Sequence, residues 1–293
     1  MRVLFAIPHY VRPASDVPAQ ERKHGSTHDG VARRVAALTA CLHALHSTFR
    51  PAHWAIDHGQ CAARDAVAAL LHHVDIVICT TSSRHVLDQL PPGLGPFAHW
   101  ETTATPEMLG FACHDVLAAR LGQYDAYCYL EDDLILRDPW WFVKLAWFVR
   151  HAGQGGVLQP NRFETGVGHA LPKVYIDGDL AEHVTHPFQD ISDTPDVVLD
   201  VMGQRVKCTR TLNPHAGCFF LSAAQMAHWS AQPHFRDRAS RLIGPLETAA
   251  TLGVLRTFKV YKPALANANF LELQHFGTGY LEQLVDPAKG VRP

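Results

Sequence analysis

Three short apolar runs, each giving way to a polar break and then a helix-like pattern, constrain this chain more than any other feature. The first is Arg2-Val3-Leu4-Phe5-Ala6-Ile7, closed by Pro8; the second is Asp75 to Thr81; the third is Tyr124 to Leu130. Continuous apolar runs, rather than alternating ones, belong to strands covered on both faces. Between them lie helical patterns. From about Asp29, residues Val31, Val35, Leu38, Leu42 and Leu45 fall along one face. Arg64 to His73, rich in alanine and leucine, suits a second helix. Thr105-Pro106-Glu107 opens a third that runs through Arg120, with Thr105 as its cap, Pro106 in its first turn and Gly122 as its stop. Strands alternating with helices at this spacing predict an α/β fold with a doubly wound, mostly parallel sheet. Ligands of such sheets sit beyond the carboxyl ends of the strands.

The remaining elements are weaker. Short strands are expected at 53–57, 97–101, 156–159 and 260–263, and a short helix near Ser82 or Ser83. Cys218–Ser222 reads as a buried strand, followed by helices at Ala223–Ser230 and about Leu246–Leu255. Residues 161–200 read as a long, Pro-dotted irregular region. The expected organisation is one main domain, mixed in its sheet, with halves at 1–150 and 151–280 and a tail at 281–293.

With 47% hydrophobic and 18% charged residues among 293, the chain can bury a sizeable core. A net charge of -2 gives no general reason to bind nucleic acid or an anionic membrane. No apolar stretch approaches the ~20 residues needed to span a bilayer, and the N-terminal run is too short for a signal segment. The seven cysteines are odd in number and form no CxxC pair, so they read as free, mostly buried thiols of a reducing compartment. The expected location is the cytoplasm, soluble or peripheral to the inner membrane. The absence of G-x-x-x-x-G-K-[ST], G-x-G-x-x-G and H-E-x-x-H sets aside P-loop, Rossmann dehydrogenase and zincin chemistry.

The third run ends abruptly in Glu131-Asp132-Asp133. While the strand lasts, Glu131 and Asp133 share a face and Asp132 lies opposite. Crowded carboxylates repel one another unless a cation sits among them. Mg2+ or Mn2+ suits such hard oxygen ligands, and a diphosphate would complete the coordination. A solvated acidic turn before the Trp140 helix is the alternative reading. Trp140, Trp141, Trp147 and Phe148 are spaced as core residues of that helix.

Tyr129-Leu130-Glu131-Asp132-Asp133, behind a helix at Pro106–Arg120, resembles the acidic DxD-type motif of GT-A-fold glycosyltransferases of bacterial type that use nucleotide sugars. Pro8-His9-Tyr10 after the first strand resembles the start of the nucleotide-binding half of those proteins. The resemblance implies a metal-dependent transfer from a UDP- or GDP-linked sugar to a hydroxyl of a glycan, a lipid-linked or a small-molecule acceptor. It implies Asp133 as metal ligand, Asp132 as donor contact and Glu131 as their neighbour on the donor side, with Pro8 and Tyr10 beside the nucleotide. By the same resemblance Glu247, at the start of an apolar helix, is the base that accepts the acceptor's proton, which would make the reaction inverting. Its place in a first turn equally suits a helix-dipole role, and Asp190, Asp193 and Asp196 are rival bases. His275 corresponds to a C-terminal histidine that some of these enzymes use as a further metal ligand, and imidazole suits Mn2+ better than Mg2+.

Three further segments add candidates. Asn213-Pro214-His215-Ala216-Gly217 feeds a buried strand; Gly217 permits close approach of a ligand, and His215 can hydrogen-bond a sugar hydroxyl. The loop at 8–30 carries Arg12, Arg22 and Lys23, suited to a diphosphate. Thr80 and Thr81 end the second strand, within reach of a base or ribose. Two other functions fit the same residues: a nucleotidyltransferase acting on sugar phosphates, and an inactive sugar- or nucleotide-binding protein.

Overall fold

The computed structural model describes residues 1–11, 30–50, 53–66, 72–167, 171–192 and 196–285. It divides into two compact units, Met1–Phe142 with Leu221–Ala227, and Val143–Phe220 with His228–Pro293.

The first unit is built on strand β1 (Arg2–Pro8). Val3, Leu4, Phe5, Ala6 and Ile7 are all fully buried, the outcome that an unbroken apolar run calls for. Each large side chain so enclosed contributes roughly 1.5–3 kcal/mol relative to exposure. After β1 come helix α1 (Val31–Phe49), a hairpin of β2 (Trp54–Asp57) and β3 (Ala62–Asp65), then β4 (His73–Thr81) and β5 (Ala98–Thr102). Helix α2 (Leu109–Ala118) precedes β6 (Ala126–Leu130).

Strands β4 and β6 flank β1, both in parallel: Phe5 pairs with Ile76 on one side and Cys128 on the other. Strand β5 lies parallel beyond β4. The chain therefore lays strands outward from β1 in one direction, then returns to place β6 on the opposite side. Such a reversal opens a crevice at the carboxyl ends of the two strands that part there, here β1 and β6.

The second unit is more antiparallel. Val197–Val201 and Gln204–Thr209 form a hairpin whose second strand pairs antiparallel with Lys259–Pro263, which runs parallel to Gly156–Leu158. Asn161–Thr165 lies between Lys173–Tyr175, antiparallel to it, and Glu272–His275, parallel to it. A helical run from Pro245 to Leu255 has a wider π turn at Thr248–Leu252. Turns of that kind recur at functional sites.

Several expectations are corrected. The segment read as a helix at 64–73 contains the end of β3 and the start of β4; Ala62–Asp65 pairs with Trp54–Asp57, and 67–71 lie outside the described residues. The irregular region 161–200 holds three strands and a one-turn helix at Glu182–Thr185. Thr105 precedes its helix without a side-chain capping bond. Trp140 is 49% exposed, whereas Trp141 and Phe148 are buried. The segment from 281 begins inside a helix, Gly279–Val285. All seven cysteines are free, and six are buried; Cys61 is exposed. Among the described residues no helix is long and apolar enough to cross a membrane.

Candidate functional site

The acidic triplet does not continue β6. The strand ends at Leu130, and Glu131, Asp132 and Asp133 form a turn in which the N–H of Leu134 donates to the Glu131 carbonyl at 3.2 Å. Strand alternation therefore does not orient them. Asp132 turns inward and is 4% exposed, while the Asp133 side chain remains 24% exposed.

Asp132 is held from two sides. The Arg34 guanidinium, from the first turn of α1, donates to both of its carboxylate oxygens. His9, the residue after β1, places Nδ1 2.5 Å from Asp132 Oδ2. His9 Nε2 accepts from the backbone N–H of Val86 at 3.2 Å, so Nδ1 is the nitrogen that carries the proton toward Asp132. His9 and Arg34 are buried, at 0% and 5% exposure. Burial alone would raise the Asp132 carboxyl, but the Arg34 charge and the His9 hydrogen bond outweigh it and hold the group at about 2. Arg34 also lies 3.7 Å from Asp133 Oδ2. The cation that a cluster of acids requires is thus supplied in part by the protein itself.

Sequence reading missed Arg34 and the part played by His9. The signal for Arg34 was present. Helix α1 buries Arg34, Ala37, Leu38, Cys41, Leu42 and Leu45, so one arginine stands on the apolar stripe, while Val31 is exposed. A charge on the buried face of a helix implies a buried partner. Beneath the acids, burial and then the charges of Asp132 and Asp133 push the Cys41 thiol far up, leaving it inert.

The other residues singled out in the first unit are placed as follows. Pro8 ends β1, and the ladder continues one step as His9 N–H donates to Cys79 at 2.8 Å. Tyr10 is half-buried directly after it. Thr81 is buried at the end of β4 and its hydroxyl donates to the Ala104 carbonyl; Thr80 pairs with His99 Nε2 at 2.7 Å. Arg12, Arg22 and Lys23 lie outside the described residues.

In the second unit, His275 Nδ1 meets Glu164 Oε1 at 2.9 Å, and Glu164 Oε2 accepts the N–H groups of Tyr280 and Leu281 at 2.8 Å. One fully buried carboxylate thereby fixes the His275 ring and caps the helix Gly279–Val285. Burial would raise Glu164, but these donors, His275 first, hold it below the usual range. A carboxylate behind one imidazole nitrogen is the arrangement that typically orients a metal-ligating histidine.

His215 is 7% exposed and points Nδ1 at Thr251 Oγ1, 3.0 Å away. Its carbonyl accepts from Lys262 Nζ at 2.6 Å, and Lys262 also donates to Asp177 at 3.0 Å. Arg162 grips Asp177 through its backbone N–H and Nε, both at 2.9 Å. Burial, then the Arg162 charge, keep His215 well below its usual range, hence neutral at ordinary pH. Gly217 adopts φ +62, a backbone that glycine tolerates and L side chains rarely adopt. Glu247 is half-buried in the first turn of the Pro245 helix. Its rivals serve elsewhere: Asp190 is exposed and closes a local turn onto Ser192, and Asp196 pairs with Lys207 at 2.6 Å. Asp193 lies outside the described residues.

Among the described residues no three His, Cys, Asp or Glu side chains form a ready metal cage. The donor chemistry of the triplet fits a looser arrangement, in which one or two carboxylates hold a cation whose other ligands come from a diphosphate.

No family model matches the chain, and no curated protein does. Solved structures do. The chain is similar to the TarS fragment 1–349 of S. aureus in complex with UDP-GlcNAc, at 8% identity over 94% of this chain with a TM-score of 0.42. It is also similar to GalNAc-T7 with UDP, GalNAc and Mn2+, at 10% identity over 94% of this chain with a TM-score of 0.45. The chain spans 59% of the length of the first and 43% of the second.

Proposed function

We propose that the protein is a metal-dependent glycosyltransferase that moves a sugar from a UDP- or GDP-linked donor to a hydroxyl acceptor with inversion. The observation that carries this reading is the position of the acidic turn. Glu131-Asp132-Asp133 follows β6, beside the end of β1, where the strand order reverses and α/β sheets receive their ligands.

In this reading the three acids divide the work. Asp132, locked by Arg34 and His9, organises the donor side and holds the turn in place. Asp133, partly exposed beside it, is the metal ligand, and Glu131 lies on the donor side with Pro8, Tyr10 and Thr81. His275, its ring fixed by Glu164, is a candidate nitrogen ligand. The cation would stabilise the departing nucleoside diphosphate. Glu247 receives the proton of the attacking hydroxyl, and His215 with Gly217 borders the sugars. The protein is proposed to act in the cytoplasm.

Thermal-shift measurements with UDP and GDP, each with and without Mn2+, test the proposal. The expected result is a rise in melting temperature that requires metal and disappears with EDTA or in Asp133→Ala. If neither nucleotide moves the melting temperature in the presence of Mn2+, the reading fails.

A further inference from the structure

Resting on the reading of Glu247 as the base, we infer that Gly244 is a positioning residue that seats the Glu247 carboxylate. The backbone at Gly244 is extended, with φ -145 and ψ -179, a conformation open to any residue. Glycine is therefore not required there by its dihedral angles. What its missing side chain provides is room. A Cβ at 244 would stand 2.8 Å from Glu247 Oε2 and 3.7 Å from Glu247 Cδ, and it would meet nothing else within 4 Å beyond its chain neighbours. The carboxylate thus occupies the space that a side chain at 244 would need.

The seat itself is firmly built. Thr248 donates its hydroxyl to the Gly244 carbonyl at 2.7 Å and accepts the Leu242 N–H at 3.1 Å, while its own N–H bonds the same Gly244 carbonyl at 2.9 Å. The π turn begins at Thr248, immediately after Glu247. Glu247 Oε2 is shut off from solvent and has no hydrogen-bond partner among the described residues. Enclosing a carboxylate oxygen without a donor is costly, and such arrangements persist where surroundings over-determine them, often at functional sites. With Oε2 lodged against Gly244, Oε1 is the oxygen that would receive the acceptor's proton as the acceptor oxygen bonds the anomeric carbon and the nucleoside diphosphate departs with its bonding electrons.

The test uses the full chain and four variants: Gly244→Ala, Glu247→Gln, the double variant Gly244→Ala/Glu247→Asp, and Gly155→Ala as a control whose added Cβ meets nothing within 4 Å. Crystal structures read the carboxylate position. UDP release from UDP-N-acetylglucosamine with Mn2+, water serving as acceptor, reads the rate. Gly244→Ala is expected to displace the Glu247 carboxylate while the turn stays in place. It should lower kcat about 10- to 100-fold, the scale of a misplaced general base, with KM for the donor changed by less than about twofold because donor binding is untouched. Glu247→Asp, one methylene shorter, should restore part of the rate in the Gly244→Ala background.

An undisplaced carboxylate in Gly244→Ala, or a wild-type rate in that variant while Glu247→Gln is inactive, overturns the inference. Wild-type turnover by Glu247→Gln removes the base instead, and a parent chain that releases no UDP counts against UDP-N-acetylglucosamine as its donor. In either of those cases the crystal structure alone decides whether Gly244 seats the carboxylate.

Discussion

Arg34 and Asp132, 98 residues apart in sequence, form a buried ion pair at the carboxyl edge of the first unit's sheet, with Nη2 of the guanidinium reaching both carboxylate oxygens. It ties the first turn of α1 to the turn after β6, and His9 adds the end of β1 to the same carboxylate. A pair of this kind is a poor source of net stability, since removing two charges from water offsets their attraction. Its value is in geometry. Arg34 reaches Asp132 through Nη2 and lies beside Asp133 through Nη1, so one side chain sets the two acids relative to each other.

Breaking the pair from one side should be severe. Arg34→Ala leaves the Asp132 charge buried, and the expected loss is about 3–5 kcal/mol, read from urea unfolding midpoints. Arg34→Lys should recover only part of it, because a single ammonium cannot meet Asp132 with one nitrogen while a second lies beside Asp133. Arg34→Met paired with Asp132→Leu should be far milder than the sum of the two single changes. Additive losses would mean the two residues act independently.

Asp133→Ala should behave differently. The side chain is partly exposed and lies only at the fringe of Arg34, 3.7 Å away. Its removal should change stability by less than about 0.5–1 kcal/mol, yet abolish any metal-dependent thermal shift by UDP or GDP. A collapse of the fold would make Asp133 a structural acid.

Acid should weaken the fold in a defined window. The half-buried His46 ring lies against Gly95, where a Cβ would approach its Cδ2 to 2.7 Å, and both ring nitrogens are shut off without hydrogen-bond partners among the described residues. Burial first, then the charges of Arg50 and His43, lower it from 6.5 to about 4. The unfolded chain therefore binds this proton more readily, so the contribution is complete above pH 6.5 and is lost as pH falls toward 4. His72 and His234 are lowered in the same direction, burial leading in both. Discounted for solvent screening, His46 alone is worth about 1–2 kcal/mol. His46→Leu should flatten urea midpoints measured between those pH values, and an unchanged slope would exclude this assignment. Asp132, held at about 2, adds a second loss only below its unfolded value of 3.8.

The legible parts of the sequence were those where one local rule acts alone. Strand β1 beyond Arg2 and the strand Cys218–Ser222 up to Leu221 are apolar and buried, and Pro106 and Gly122 bracket a helix as their backbone preferences require. The hairpin Val197–Thr209 was not legible. Its two-residue turn is Met202–Gly203, both at positive φ, and a methionine there carries none of the usual Asn or Asp signal. Arg64 and Asp65 open the alanine-rich stretch 64–73 that reads as helix, yet they end β3, whose pairing with Trp54–Asp57 overrides that preference. In the candidate site, the acids were visible because they are consecutive. Arg34, Glu164 and Asp177 were hidden because their partners lie 98, 111 and 85 residues away. Only the position of Arg34 on an apolar stripe betrayed one of them.

Glu164 offers the sharpest contrast between a structural and a chemical acid. Its two oxygens serve His275 and the N–H groups of Tyr280 and Leu281, so it orients a candidate ligand and caps a helix at once. Glu164→Ala orphans two backbone donors at the start of that helix and frees the imidazole. The Leu281 N–H is buried and the Tyr280 N–H only part-buried. An orphaned buried group costs about 1–3 kcal/mol, so a loss of about 1–3 kcal/mol is expected, with hydrogen exchange in Gly279–Val285 accelerating. His275→Ala leaves the cap intact, and it should cost less while weakening Mn2+-dependent nucleotide binding. If His275→Ala instead leaves Mn2+ dependence untouched while exchange in the helix rises, the dyad serves the helix alone and the nitrogen ligand must be sought elsewhere.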